Sequence, residues 1–238
     1  MRLAALLLAV ALPALAAPQR ANVEQVESLV IESTNEFRAS QNLSRLTRNA
    51  RLDLAARNFA NHLATGAAFS HDSGGTTPEI RVFQAGYQAC VVAENLERQY
   101  SSAGFATSEL ARTLMQAWKD SPSHRKNLME ADAIETGLAI VHRSHDGVED
   151  FYAVQLLARK ESDTVNFRIR NWSEFTVDYR VNGKSFTLKP NFGRDHGRCS
   201  TPDLQFEGRA RGRFEARKNE CFIVEKDGNV RRGSNECG

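Results

Sequence analysis

The stretch from Trp118 to Glu130, WKDSPSHRKNLME, places a histidine two residues after a proline, where a helix begins. Ser121 can act as the N-cap and Pro122 suits the first helical position, so His124 falls in the first turn. Its ring there lies beside unpaired backbone N–H groups at the positive end of the helix dipole. This position favours the neutral imidazole, which can bind a metal ion or accept a proton. The local alternative is that His124 only hydrogen-bonds to its own turn.

The first residues, MRLAALLLAVALPALAAPQR, are typical of a secretory signal peptide. Arg2 supplies a positive charge, an apolar run covers Leu3 to Leu12, and Ala14-Leu15-Ala16 forms an A-x-A cleavage signal. We predict that residues 1–16 are the signal peptide. No later stretch reaches the roughly 18 apolar residues that a membrane helix needs. We therefore expect a soluble mature protein, secreted or periplasmic, with no stable membrane span.

Four cysteines follow this leader: Cys90, Cys199, Cys221 and Cys237. An even number in an exported protein predicts disulfides, and four cysteines allow three pairings. Three of the four lie near the C-terminus, so we expect at least one bridge within that segment. Cys90 then either links the two halves of the chain or is buried and free. No C-x-x-C pair occurs, which argues against a thiolate zinc site.

Helical periodicity alternates with short apolar runs over the first two thirds of the chain. Apolar residues recur at helical spacing over residues 22–40, 49–65 and 107–119. Short runs at residues 88–96, 134–144 and 149–159 predict strands, the last two as an antiparallel pair. FSHDSGGTTPE, with two glycines and a proline, predicts a long surface loop. This order predicts an α/β layered domain with an antiparallel sheet over residues 22–160.

The pattern changes at residues 163–238, which we predict to be a small β-rich, disulfide-containing C-terminal module. Short alternating segments replace the helical period, with turns expected at Asn182-Gly183 and Asp227-Gly228. These residues carry a net charge of +4, against −3 for residues 18–162. The basic run RARGRFEARK could favour anionic envelope polymers or lipid headgroups, or could simply keep a solvated strand edge from aggregating. A nucleic-acid partner fits poorly with an exported protein of this mild charge.

Three polar residues of the first domain could meet in one cleft. His71 ends the FSH loop segment, Glu94 lies in the strand AENL, and His124 begins the Pro122 helix. Two imidazoles and a carboxylate are a sound ligand set for zinc or another divalent cation, with one position left for water or substrate. Zinc would lower the pKa of a bound water, so hydrolysis becomes conceivable. We expect Asn95 and Ser121 to complete the polar centre of this cleft.

The order of these and further motifs resembles the CAP superfamily of cysteine-rich secretory, antigen five and pathogenesis-related proteins, closest to its bacterial secreted SCP-domain type. The motifs that carry the resemblance, over roughly residues 24–160, are Asn35-x-x-Arg38, Leu43, Leu46, Leu52, Ala55, FSH at His71, Arg81, Gly86-Tyr87, AENL at Glu94 and Asn95, Trp118-x-x-Ser121-Pro122-x-His124-x-x-Asn127, Gly137 and Tyr152-Ala153-Val154-Gln155. The resemblance implies a three-layer α-β-α sandwich with a cleft over the sheet. It names no family for residues 163–238.

The resemblance also bears on the ligands. It implies small hydrophobic ligands such as sterols or fatty acids, or a cell-envelope component. In eukaryotic members, two histidines and two glutamates of the cleft can hold a divalent metal. His71 and Glu94 match the first of each, although Ala93 replaces the glycine of the G-E-N motif. Ser121 and Tyr152 stand at the positions of the second glutamate and the second histidine, so half of the tetrad is missing.

Structural roles are the simpler interpretation of the remaining polar residues. Asn35 and Arg38 are expected to pin the first helix to a loop. Ser121 lacks the strand-turn-helix context of a hydrolase nucleophile, and helix capping accounts for it. The other histidines, His62, His142, His145 and His196, are expected to face solvent.

Three classes of function compete on this basis. The favoured one is a non-catalytic binding module for a small hydrophobic or cell-envelope ligand, with an optional divalent cation such as zinc held by His71, Glu94 and His124. A metal-dependent hydrolase acting on peptides or envelope polymers is the first alternative, and a purely structural or interaction protein is the second. No further acidic residue is clearly placed as a general base, which weakens the enzyme. The sequence leaves the oligomeric state open.

Overall fold

A computed structural model describes residues 20–233, and the predicted signal peptide lies outside the described residues. The helices are α1 (Val23–Ser40), α2 (Ala50–Ala64), α3 (Pro78–Gln84), α4 (Thr107–Asp120) and α5 (Pro122–Leu128). The strands are β1 (Thr47–Arg48), β2 (Ala89–Ser101), β3 (Glu135–His145), β4 (Val148–Lys160), β5 (Val165–Asn171), β6 (Val177–Val181), β7 (Lys184–Leu188), β8 (Gly193–Arg198), β9 (Asp203–Glu207), β10 (Gly212–Glu215), β11 (Glu220–Val224) and β12 (Val230–Gly233).

The first sheet has the strand order β1-β3-β4-β2. Its three long strands run antiparallel, as predicted, and β4 lies between the other two. The two-residue β1 adds a parallel pair with β3 that the sequence pattern did not predict. Because β2 occupies one edge, its outward-facing backbone groups need partners from elsewhere in the chain.

Helices cover both faces of this sheet. On one face α2 packs over residues of β4 such as Tyr152, Val154 and Leu156. On the other face α1 and α4 pack over Phe151 and Ala153, so alternate residues of β4 enter different cores. A strand buried on both faces in this way is apolar almost throughout, as the sequence of β4 is. The result is the three-layer α-β-α sandwich that the sequence predicts.

Gly137 sets the distance between α2 and β3. A Cβ atom at this position would lie 2.3 Å from the backbone carbon of Leu52 and 2.4 Å from the backbone nitrogen of Asp53. Real Cβ atoms do not approach backbone that closely, so only glycine permits this contact. The glycine that the sequence comparison with CAP proteins singles out is therefore a packing residue.

Asn35 and Arg38 fix α1 to the loops on either side of the sandwich. The Asn35 amide donates to the carbonyl of Leu46 at 3.1 Å, and its oxygen accepts from the Leu46 amide at 2.7 Å. Arg38, fully buried, donates to four backbone carbonyls, those of Ser44, Leu128, Glu130 and Ala133. A buried guanidinium needs such acceptors, so these two polar residues have the pinning role expected of them.

Residues 165–233 form two further four-stranded sheets, with the orders β10-β9-β6-β7 and β12-β11-β5-β8. Inward residues of both sheets share one apolar core that includes Ile169, Val181, Phe206 and Phe222. The β-rich C-terminal part predicted from the sequence is therefore present, as a sandwich. The boundaries of the domains, residues 22–160 and 163–238, stay predictions.

His196 departs from expectation because it is buried and not solvent-facing, with only 6% of the residue exposed. Its Nε2 lies 2.9 Å from the hydroxyl of Tyr179, and its ring stacks on Phe167. The residue pairs with Phe167 across β5 and β8 and shares its inward face. Because β8 is rich in charged residues, its sequence has no apolar alternation that would predict an inward-facing His196.

A disulfide between Cys90 and Cys199 links β2 of the first sheet to the segment after β8. Cys90 therefore links the two halves of the chain and is not a free, buried cysteine. Cys221 is also disulfide-bonded. Cys237 lies outside the described residues. Over residues 20–233, no helix combines the length and apolarity that crossing a membrane requires.

Candidate functional site

The Trp118–Asn127 motif closes the free edge of β2. The indole Nε1 of Trp118 donates to the carbonyl of Leu96 at 3.2 Å, and the Asn127 amide donates to the carbonyl of Glu94 at 2.8 Å. Glu94 and Leu96 are two residues apart, so their carbonyls point the same way, away from β4 and beyond the edge of the sheet. Two side chains of the motif thereby supply the hydrogen bonds that an edge strand lacks.

Glu94 is buried in an ion pair with Arg81. Arg81, from α3, donates through Nη2 to both carboxylate oxygens of Glu94, at 2.8 and 2.7 Å. The two side chains are 7% and 1% exposed. The Arg81 guanidinium also lies 3.5 Å from the centre of the Phe59 ring. The negative charge of Glu94 is therefore neutralised in place by a cation held between protein groups.

Arg81 also fixes the loop that carries His71. It donates to the carbonyl of His71 at 3.0 Å and to the carbonyl of Thr76 at 2.7 Å. On the same loop, Ser73 Oγ lies 3.0 Å from Nε2 of His62 on α2. These contacts hold the FSH segment against the sheet, so His71 is positioned and not free to swing.

His71 and Glu94 are in direct contact, as the sequence predicts for a shared polar centre. His71 Nδ1 lies 2.9 Å from Glu94 Oε1, while 53% of the imidazole side chain is exposed. The hydrogen bond to Glu94 raises the pKa of His71 above its ordinary value, against a smaller opposing effect of burial. Glu94 thus stabilises the protonated form of His71 relative to a free imidazole, and the outer edge of the ring lies toward solvent.

His124 lies near His71, but its pKa is shifted in the opposite direction. Burial lowers the pKa of His124, and the charge of His71 lowers it further. Its Nδ1 is buried and has no hydrogen-bond partner within residues 20–233. The bond of this atom to its own turn, the local alternative considered above, is therefore not made. The two rings therefore differ: the pKa of the half-exposed His71 is raised, whereas the pKa of His124 is lowered and its buried Nδ1 has no hydrogen-bond partner among the described residues.

Asn95 lies on the opposite face of β2 from Glu94, because successive strand residues alternate. It accepts from Asn127 at 3.0 Å and donates to Gln155 at 3.3 Å. Gln155 in turn donates to Thr34 of α1 at 2.9 Å. This buried chain ties α5, the sheet and α1 together, so Asn95 braces the site from behind and does not face His71.

Ser121 occupies the N-cap position of α5, and Pro122 opens the helix. The Ser121 side chain does not accept from a helix N–H; its hydroxyl lies 3.2 Å from that of Ser123. The structure thus places this residue where the sequence predicts but gives its hydroxyl another partner.

The trio of His71, Glu94 and His124 does not fit a preformed metal site. Both oxygens of Glu94 accept from Arg81, and one of them also contacts His71. Over residues 20–233, no group of three His, Cys, Asp or Glu side chains is arranged to hold a metal ion. Metal binding needs neutral imidazoles and a carboxylate that is free of competing cations. Cation binding by these residues is therefore untested, and the contact of Arg81 with Glu94 argues against it.

A second buried carboxylate on the same face of the sheet escaped the sequence analysis. Asp150, fully buried, accepts from Arg98 at 2.6 Å, from the Tyr152 hydroxyl at 2.9 Å and from His145 at 3.3 Å. Tyr152, which stands where CAP proteins have a second histidine, is thus engaged by Asp150 and not by Glu94. The available signal was the two-residue spacing of Asp150 and Tyr152 in a strand.

Arg81 is the residue whose role the sequence did not reveal. It appears in the motif pattern, but nothing local indicates that its partner is Glu94, thirteen residues later on another element.

Two further surfaces could hold a ligand. A groove of about 940 Å³ lies between α1 and α4, and most of its lining residues are polar, among them Glu36, Glu109 and Arg112. The basic C-terminal sandwich has many of its charges paired. Arginines in ion pairs with carboxylates there include Arg168, Arg180, Arg213, Arg231 and Arg232. This pairing favours a solvated surface over a continuous cationic patch.

The chain belongs to the CAP family, described as the cysteine-rich secretory protein family, whose sequence profile matches residues 31–157. The match spans the sandwich from α1 to β4 and includes every residue of the cluster around Glu94. No curated protein matches the chain.

Solved structures similar to this chain include three bacterial proteins. An outer surface protein from Borrelia burgdorferi has 22% identity and a TM-score of 0.49, with 58% of this chain and 95% of that chain covered. An extracellular protein containing an SCP domain, from Bacillus anthracis, has 23% identity and a TM-score of 0.47, with 58% and 41% covered. A cysteine-rich secretory protein from Staphylococcus aureus has 22% identity and a TM-score of 0.44, with 58% and 40% covered. This chain thus spans less than half the length of the last two.

Proposed function

We propose that this CAP protein is an exported, non-catalytic binding module for a small hydrophobic or cell-envelope ligand. The observation that carries the proposal is the buried ion pair in which Nη2 of Arg81 lies 2.8 and 2.7 Å from the two oxygens of Glu94. A metal-dependent hydrolase needs a carboxylate that binds the cation or takes a proton from water. Glu94 can do neither while a buried guanidinium holds both of its oxygens.

Binding is favoured because the groups beside Glu94 still offer hydrogen bonds. His71 is half exposed, so the outer edge of its ring is open to a ligand, and the hydrogen bond to Glu94 raises the pKa of this ring. Burial lowers the pKa of His124, whose Nδ1 is buried and has no hydrogen-bond partner among the described residues. A half-exposed imidazole fixed by a buried carboxylate suits a ligand that has hydrogen-bonding groups.

A structural role is the second candidate, and one observation favours it. Trp118 and Asn127 both use their polar atoms to close the edge of β2. If no ligand occupies the site, the motif on α5 is explained by this bracing alone.

Export is part of the proposal. The predicted leader at residues 1–16 and the Cys90–Cys199 disulfide support it. Disulfides persist in oxidising compartments, which favours a secreted or periplasmic location.

Native mass spectrometry of the chain, purified from an oxidising compartment without added metal or chelator, tests the proposal. We expect an organic mass to be retained and no zinc-sized increment. Zinc titration calorimetry should show no site in the wild type. A zinc site that is lost in His71→Ala but kept in the control His62→Ala would overturn the proposal in favour of the metal centre. A bare polypeptide that also fails to bind envelope lipids would favour the structural role.

A further inference from the structure

A cavity of about 340 Å³ lies beside Tyr152, between the end of α2 and the β3–β4 hairpin. One side of its lining is apolar, with Leu63, Ala64, Ala67 and Phe69. The other side consists of Tyr152, Arg98, Arg143 and His145. An apolar wall facing a few convergent polar groups is the usual character of a small-molecule site, and the volume lies at the small end of the usual range. We call it the Tyr152 cavity.

The charge at the Tyr152 cavity is positive. None of the described residues that line it is acidic. The nearest carboxylate, Asp150, is fully buried and already accepts hydrogen bonds from Arg98, Tyr152 and His145. Arg98 therefore neutralises the charge of Asp150 in an ion pair, and the positive charge of Arg143 remains without one among the described residues.

Arg143 is the second guanidinium of this cavity and lies opposite Asp150 in the register of β3 and β4. Through Nη1 it donates to the carbonyl of Ala64 in the last turn of α2. Among residues 20–233 it has no carboxylate partner. A guanidinium has five N–H donors in a planar fork that matches a carboxylate, so most of this one stays available for a ligand at the cavity.

Two aromatic rings, those of Phe69 and Tyr152, line the cavity. The rings of Phe69 and Tyr152 are 6.5 Å apart at an interplanar angle of 52°. Phe69 is 44% exposed although it is a large apolar residue on a loop otherwise fixed to the sheet. The two rings contact each other, so a ligand would lie against them and bury the exposed surface of Phe69. At about 30 Å³ for each water-sized group, the volume of the cavity suits a body of about ten such groups.

We propose that the Tyr152 cavity is a subsite for a small carboxylate with a compact apolar body, whose charged group pairs with Arg143 and whose body packs against Phe69 and the apolar wall of the cavity. This inference rests on the proposed binding function and names the chemical class of one ligand. The cavity contains neither His71 nor Glu94, so it can be tested separately from the metal question.

The test compares 3-phenylpropionate with 3-phenylpropionamide, which has nearly the same shape and no charge. Ligand-observed NMR titration of the full exported chain should show the acid binding about tenfold more tightly than the amide, because one charge-assisted hydrogen bond at a half-exposed site is worth roughly that factor. Arg143→Gln should weaken the acid about tenfold and leave the amide unchanged, and Arg143→Lys should keep most of the preference. Phe69→Ala should weaken both. Arg112→Gln, in the α1–α4 groove, is the matched control and should change nothing.

Equal affinity for acid and amide, acid binding unaffected by Arg143→Gln, or no binding of either compound would overturn the subsite. Thermal unfolding of each variant separates lost binding from lost folding, and Arg143→Lys retains the donor to Ala64 if Arg143→Gln unfolds. Retention of zinc by the wild-type chain would overturn the proposed function instead, whatever the acid does.

Discussion

The indole nitrogen of Trp118 donates to the backbone carbonyl of Leu96 at 3.2 Å, and this bond covers the open edge of the first sheet. The tryptophan is thus both a core residue and the partner of an edge strand. Most of its bulk would survive replacement by phenylalanine, whereas the donor would not.

Trp118→Phe should lower the free energy of unfolding by about 1–3 kcal/mol, because it leaves the buried carbonyl of Leu96 without a donor. Trp172→Phe is the matched control, since Trp172 is 39% exposed and its change should stay within about 0.5 kcal/mol. Urea unfolding followed by far-UV circular dichroism measures both. Equal losses in the two variants would show that the edge bond is not the source.

The Arg81–Glu94 pair should be strongly coupled. Arg81→Met leaves a buried carboxylate without its cation and should cost about 3–5 kcal/mol. Adding Glu94→Gln should recover more than about 1 kcal/mol of that loss, by a double-mutant cycle in chemical denaturation. The exposed pair Arg45–Glu32, at 56% and 55% exposure, provides a control cycle whose coupling should stay below about 1 kcal/mol. If the losses in unfolding free energy at Arg81 and Glu94 were strictly additive, the two side chains would not be coupled, contrary to the ion pair.

The pKa values of the two histidines of the site should be shifted in opposite directions. The pKa of His71 is raised by its bond to Glu94, so the stabilisation it provides is complete below about pH 6.5 and is lost as the pH rises through the raised value. Glu94→Gln should lower the pKa of His71. His71→Gln should raise the pKa of His124, which stays below its ordinary value because of burial. Imidazole proton shifts in NMR report both, and a His124 pKa indifferent to His71→Gln would separate the two rings.

The C-terminal sandwich should weaken in mild acid because of His196. Burial lowers the pKa of His196 to about 4, so below about pH 6.5 the unfolded chain takes up a proton that the folded chain refuses. Stability is therefore full above that pH and falls by about 2–3 kcal/mol as the pH approaches the folded value. Hydrogen exchange of β5 to β12 between pH 7 and about 4.5 measures the loss. His196→Gln, which keeps a partner for Tyr179 and does not titrate, should flatten the profile; an unchanged profile would assign the acid sensitivity to other groups.

The Cys90–Cys199 bridge should anchor the C-terminal sandwich. The bridge closes a loop with a sequence separation of 109, and its removal in Cys90→Ser/Cys199→Ser should cost up to about 4–5 kcal/mol by the loop-entropy estimate. Few other bonds cross here, among them Lys218 to the carbonyl of Ser162 at 2.8 Å. We expect residues 163–233 to lose hydrogen-exchange protection before residues 22–160. Equal loss of protection in both parts would show that the bridge does not act locally.

Local patterns predicted much of this protein. The apolar period gave α2 and α4, the alternation of short runs gave β3 and β4, and Asn182-Gly183 has the two positive φ values of a tight hairpin turn. These features depend on neighbours within a few residues, whose steric and hydrogen-bond preferences are written in the sequence. The contact of His71 with Glu94 also followed, through the motif order of a family.

Packing between distant elements decided the rest. The pairing of Arg81 with Glu94, the placement of Asn95 behind the sheet and the burial of His196 depend on which faces of separate helices and strands meet. Sequence period fixes the face on which a residue lies but not the partner that the face meets in the folded chain, and a charged or polar residue gives no apolar signal of burial. The sequence therefore determined the layers of the first domain, whereas only the tertiary structure decided that the Arg81 guanidinium contacts the carboxylate of Glu94, on which metal chemistry would depend.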